Sequence, residues 1–131
     1  MLVILALVAG IAMPFFSGKP GVAEVRNMAR ELAAGLNLAR SEAIMRGRDV
    51  ALHVDLVERS FGLEDQDYHV ALPPYTVLEV TTATSETVGR GGNIRFYPNG
   101  SSTGGSVSVA ANGTRFVVAV DWLTGKVVIR E

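Results

Sequence analysis

Three regimes of polarity divide the chain. Residues 1–18 (MLVILALVAGIAMPFFSG) carry no charged side chain. A helix of that length reaches about 27 Å, just short of the roughly 30 Å hydrocarbon core of a bilayer. Ser17-Gly18-Lys19-Pro20-Gly21 is a breaker cluster that predicts a kink or an interruption. From Val22 the period becomes helical. Val22, Val25, Ala29, Leu32, Leu36, Ala39 and Ala43 lie alternately three and four apart, which predicts one apolar stripe. Glu42 and Arg46 form a correctly ordered i,i+4 pair, and Gly47 suits a C-terminal cap.

From Arg48 onward the period is two. Val50, Leu52, Val54 and Leu56 alternate with Ala51, His53 and Asp55, a half-buried strand, and Phe61 and Leu63 predict its hairpin partner. Glu64-Asp65-Gln66-Asp67 reads as a polar turn, Pro73-Pro74 as a stop, and Tyr75 to Thr84 as a strand. Ser85 to Asn93 is expected to be a glycine-rich loop, Ile94 to Tyr97 a short strand, and Ser101 to Gly105 a flexible stretch. Asn112-Gly113 is a two-residue hairpin signal between Val107/Val109 and Phe116/Val118/Val120. Thr124-Gly125-Lys126 turns the chain into Val127 to Ile129. The sum is an α+β chain: a long N-terminal helix, then an antiparallel sheet or small β-sandwich. The stripe most simply covers one sheet face. The expected organisation is an apolar segment at 1–18, an amphipathic helix at 19–47 and an antiparallel β head at 48–131.

A signal peptide would carry a basic region before the apolar stretch and a small-x-small cleavage site after it. No Lys or Arg precedes Leu2, and Pro14 and Phe15 follow Ala12 where small residues are wanted. The run therefore reads as the outer part of a membrane helix whose first turns lie upstream of Met1. A cleaved signal peptide and a buried soluble helix are the alternatives. Net charge is −1 with a pI near 6.1, so no overall pull toward nucleic acid or anionic lipid is visible. The absence of cysteine excludes disulfides, Cys-ligated zinc and thiol catalysis.

Catalytic constellations are hard to find. His53 and His69 are the only histidines, and neither has a sequence-indicated triad partner. Glu64, Asp65 and Asp67 lack the Asp-x-Asp-x-Asp-Gly spacing and distal Glu of a calcium loop. Gly89-Arg90-Gly91-Gly92 and the run from Gly100 to Gly105 lack the Gly-Lys-Ser/Thr ending of a P-loop and the spacing of a dinucleotide fingerprint. The expectation is no enzyme, no cofactor and no metal.

A resemblance runs along the whole chain. Leu5-Ala6-Leu7-Val8-Ala9-Gly10-Ile11-Ala12-Met13-Pro14 resembles the second half of a type IV pilin-like N-terminal helix. Leu38-Ala39-Arg40-Ser41-Glu42-Ala43-Ile44-Met45-Arg46-Gly47, Ala71-Leu72-Pro73-Pro74 and Ile94-Arg95-Phe96-Tyr97-Pro98-Asn99-Gly100 are similar to elements of the H-type minor pseudopilins of type II secretion systems. So is the closing Val120-Asp121-Trp122-Leu123-Thr124-Gly125-Lys126-Val127; Ala-Arg-Ser-Glu-Ala and Trp-Leu-Thr-Gly carry the H-type likeness.

The resemblance implies a pilin-like, single-pass inner-membrane subunit with a periplasmic head, incorporated into the pseudopilus that assists protein export. Its implied partners are other major and minor pseudopilins, the inner-membrane platform and the inner membrane itself. It also implies leader cleavage and N-methylation by a prepilin peptidase. The basic leader, its Gly-Phe-Thr-Leu junction and the intramembrane glutamate would all lie upstream of Met1. Leu2, Val3, Ile4, Leu5, Leu7, Val8 and Ile11 would hold the bilayer and later the fibre core. Ala9 and Gly10 would allow close helix approach, and Pro14 a bend. The Val22–Ala43 stripe would join stem to head. The alternative is a minor pilin that binds DNA during uptake, which needs a basic edge. Arg90, Arg95 and Arg115 are scattered, and Lys126 and Arg130 are followed by Glu131. An exported enzyme with a signal anchor would need catalytic residues the chain does not offer.

Overall fold

The computed structural model describes residues 21–64, 66–83, 87–88 and 91–131. The helix, α1, spans Val22–Arg46. Glu24 in its first turn and Arg46 in its last complement the helix dipole. Gly47 ends it with a left-handed φ of 64°, its N–H reaching the Ala43 carbonyl at 3.0 Å. Val25, Ala29, Leu32, Leu36, Ala39 and Ala43 are fully buried. Val22 corrects the stripe: as the first helical residue it lies ahead of the packed seam and is 47% exposed. The seam also takes in Met28, Ala33 and Gly35.

The described strands, in chain order, are β1 (Val50–Asp55), β2 (Ser60–Leu63), β3 (His69–Ala71), β4 (Val77–Thr81), β5 (Thr87–Val88), β6 (Gly91–Phe96), β7 (Gly105–Ala111), β8 (Thr114–Val120) and β9 (Val127–Arg130). They form two antiparallel sheets, ordered β3-β2-β1-β6-β5 and β4-β7-β8-β9. In the first, Leu52 opposes Leu63 and Ile94, while Val54 opposes Phe61, so one face is apolar. In the second, Val107 opposes Val118 and Val109 opposes Phe116. Both inner faces close on the same buried cluster as α1. The helix therefore contacts strands of both sheets, not the single face that the stripe suggested.

Three loop expectations are corrected. The strand expected from Tyr75 to Thr84 runs only from Val77 to Thr81. The glycine-rich loop does not extend to Asn93, because Gly91, Gly92 and Asn93 are paired in β6 opposite Asp55, Val54 and His53. A Cβ at Gly91 would overlap the Val54 carbonyl oxygen, so close strand approach selects glycine there. The stretch from Ser101 to Gly105 is tied at both sides: Thr103 N–H donates to the Arg95 carbonyl and Ser102 N–H to the Trp122 carbonyl, each at 2.9 Å.

The β7–β8 hairpin turns through Asn112 at φ 50° and Gly113 at φ 80°, as a two-residue primed turn demands. Replacing Gly113 with alanine is expected to destabilise the head by about 1 kcal/mol, measured by urea unfolding. An unchanged midpoint would contradict the turn assignment.

Candidate functional site

Two joints fix the helix to the head. In the middle of α1, Gly35 lets Phe61 and Leu52 approach; a Cβ there would stand 3.2 Å from the Phe61 ring and 3.3 Å from Leu52. A glycine inside a helix costs roughly 1 kcal/mol relative to alanine, so the close packing offsets a local penalty. Phe61 and Tyr68 rings lie 6.5 Å apart in a tilted pair. Burial, then the nearby Glu31 carboxylate, raises the Tyr68 phenol above the ordinary value of 10.0. The unfolded state releases this proton first, so the contribution is intact below pH 10 and is lost as pH climbs through the folded pKa. Tyr68→Phe is expected to lose less stability than wild type as pH rises above about 10, read from alkaline melting curves.

Toward the C-terminal end of α1, Arg40 donates from Nε to the Gly100 carbonyl at 3.2 Å. Gly125, at φ 71°, comes against that same carbonyl and the Arg40 side chain, where a Cβ would collide. Asp121 shapes the β8–β9 corner by accepting the Leu123 N–H at 2.8 Å, and Gly125 N–H donates to the Asp121 carbonyl at 2.8 Å. The corner thus presents Trp122 and Leu123, 65% and 64% exposed, on a braced turn. The Glu42–Arg46 pair forms at 2.6 Å, and Glu42 also accepts from Gln66 at 3.0 Å.

The outer face of the first sheet carries the histidines. Alternation puts His53, Asp55, Ser60, Gly62, His69 and Ala71 on one side, and Ser60 and Gly62 leave β2 nearly bare between its neighbours. The result is a trough of about 780 Å³ with His53 and His69 on its walls. Asn93 donates from Nδ2 to Glu64 at 3.1 Å, which turns its oxygen toward His53; the imidazole donates from Nδ1 at 2.7 Å. Asp55 accepts the Val57 and Glu58 N–H groups at 3.0 and 2.9 Å. Both side chains are thus occupied in holding turns and strands. Among the described residues no cluster of three or more metal-ligating side chains occurs. Asp65, of the acidic turn, lies outside the described residues.

Leu2, Val3, Ile4, Leu5, Leu7, Val8, Ala9, Gly10, Ile11 and Pro14, together with Arg90, also lie outside them. Among the described residues no helix is long and apolar enough to cross a membrane. Of the cations considered for nucleic acid, Arg95 reaches Glu64 at 3.7 Å and Arg115 reaches Glu79 at 3.9 Å. Lys126 and Arg130 line one concavity beside the edge strand β9. The stripe pointed to the joint, but Gly35 and Gly125 carried no recognised signal. A glycine between Leu32 and Leu36 was the available hint.

One long helix buried along two antiparallel sheets defines the head of a pilin-type subunit. Two solved structures share this fold. The minor pseudopilin EpsH from the type 2 secretion system of Vibrio cholerae superimposes with a TM-score of 0.64 at 16% identity, covering 82% of this chain and 96% of that one. The type IV minor pilin FimU of Pseudomonas aeruginosa gives 0.60 at 18% identity, covering 83% and 90%. A type II secretion system protein H of Xanthomonas campestris pv. campestris is 28% identical over 97% of this chain and 77% of its own length. The family model for type II transport protein GspH matches residues 28–124, which takes in most of α1 and every described strand except β9. The chain belongs to the GspH family and is a type II secretion minor pseudopilin.

Proposed function

We propose that this pseudopilin is a low-copy, non-catalytic structural subunit of the periplasmic pseudopilus that helps push folded proteins through an outer-membrane channel. The observation that carries the reading is the family match across residues 28–124, which spans stem helix and head together. In this reading Leu2 to Pro14 hold the inner membrane until the subunit is drawn into the fibre, where the same apolar faces pack on neighbouring stems. Val25, Ala29, Leu32, Leu36, Ala39 and Ala43 then fasten the head to that stem. Major and minor pseudopilins and the inner-membrane platform are the partners, and a prepilin peptidase the processing enzyme.

The DNA-uptake alternative has no comparable support, because Arg95 and Arg115 face carboxylates. The test is deletion of the gene in its host, followed by assay of a type II substrate in the medium. Secretion is expected to fail and to return with the full chain. Normal secretion without the gene would overturn the proposal. A tight gel shift with duplex DNA at physiological salt would favour uptake instead.

A further inference from the structure

His53 and His69 stand on either side of one glycine. In the first sheet His53 opposes Gly62 and Gly62 opposes His69, so both imidazoles rise from the outer face with no side chain between them. Two inter-strand steps of about 4.8 Å put their Cα atoms within about 10 Å of each other. The approach on the β3 side is close: a Cβ at Gly62 would overlap the Tyr68 carbonyl oxygen and stand 3.4 Å from the His69 Cα. His53 is held from behind. Its Nδ1 donates to Asn93 Oδ1 at 2.7 Å, the Asn93 amide is turned by its bond to Glu64 at 3.1 Å, and Glu64 pairs with Arg95 at 3.7 Å. That chain fixes the tautomer and leaves the Nε2 lone pair as the acceptor of the ring. An imidazole held in this way through one nitrogen is oriented to ligate through the other. Asp55, Glu58 and Asp67 also line the trough, and among the described residues no Lys or Arg does, so its potential favours a cation.

We propose that His53 and His69 bind one divalent transition-metal ion of the zinc type across Gly62, in the outer trough of the first sheet. Imidazole nitrogen suits zinc, nickel or copper, whereas calcium and magnesium prefer oxygen. The two imidazoles are the protein ligands and water completes the shell, which agrees with the lack of any three-ligand cluster among the described residues. Asp55, Glu58 and Asp67 raise the local concentration of the ion without ligating it. Asn93 is a positioning residue that acts through His53. The ion clamps β3, a three-residue edge strand paired only with β2, to β1. Sequence spacing gives no hint of the pair, because Gly62 joins the two histidines only through the sheet. One chain supplies both ligands, so the site is complete in a low-copy subunit, and it depends on neither the membrane anchor nor secretion.

The test titrates Zn²⁺ into the full chain in detergent micelles, stripped of metal beforehand and held at about pH 7.5, where imidazole is neutral. The chain has two histidines, so its imidazole NMR signals report the site directly. Both rings are expected to respond together and to saturate at one Zn²⁺ per chain, with the chain still monomeric by sedimentation. Ca²⁺ at the same concentration is expected to move neither. Asn93→Ala is expected to weaken Zn²⁺ binding about 10–100-fold by calorimetry, and His53→Ala or His69→Ala at least as much. Without metal, Asn93→Ala is also expected to shift His53 away from its Nδ1–H tautomer in the ¹⁵N spectrum while His69 stays unchanged, which a merely structural role would not do. His69 is exposed, so His69→Ala leaves the core intact. The proposal is overturned by a response from only one histidine, a Ca²⁺ effect equal to that of Zn²⁺, an unchanged affinity in His69→Ala, or saturation only as a zinc-bridged dimer.

Discussion

Replacing Leu36 with alanine is expected to lower the stability of the head by about 3 kcal/mol, or roughly 10–20 °C in Tm. Leu36 is fully buried, and its neighbours on the helix seam, Leu32 and Ala39, are buried with it. The loss combines the transfer term of the deleted methyl groups with a cavity the two sheets cannot close, because both are held by their own ladders. Ala34, on the exposed face of the same helix, provides the control: Ala34→Ser is expected to stay within about 0.5 kcal/mol of wild type. Urea unfolding of the two variants checks both values. A Leu36→Ala chain as stable as Ala34→Ser would mean that the helix is not seated in the core.

The second large effect is expected at Gly91. Its missing side chain lets β6 approach the Val54 carbonyl, and the added methyl of Gly91→Ala would overlap that oxygen. Relief requires β6 to withdraw from β1, which breaks a six-pair register running from Val50–Phe96 to Asp55–Gly91. A cost of at least about 3 kcal/mol is expected, since the obstacle is backbone and not a movable side chain. The withdrawal also pulls Asn93 from His53, so the His53 ring resonances are expected to shift in an NMR spectrum. Gly21→Ser is the contrast: among the described residues no atom lies within 4 Å of its Cβ, and a change within about 0.5 kcal/mol is expected.

These two sites show where the chain could be read and where it could not. The Leu32–Leu36–Ala39 spacing and the Asn112-Gly113 turn act through neighbours in sequence, so local pattern reveals them. Gly91 and Gly92 look like loop residues because glycine is locally permissive. Their strand character comes from Val54, far away in the chain. The same holds for Ser102, buried by a bond to the Trp122 carbonyl, and for His53, held by an asparagine 40 residues away. The division into two sheets was equally illegible, since β4 pairs with β7 across an intervening pair of strands that belongs to the other sheet. The family resemblance located the fold class, which the comparisons bear out. The trough was half visible in Ser60-x-Gly62, small residues two apart on a strand, but its walls come from β1 and β3.

The buried seam on α1 runs from Val25 to Ala43. At about 1.5 Å per residue that is about 27 Å of continuous contact laid parallel to the helix axis. A tensile load applied along the axis therefore acts on the seam in shear. Leu32, Leu36 and the alanines must slip past both sheets together, as in a lap joint, whereas a sideways load would peel them one turn at a time. The Arg40–Gly100 bond and the Gly125 contact stand near the far end of that seam and work as its end stop. Resistance to pulling is thus directional, and greatest along the line in which a stem would draw its head.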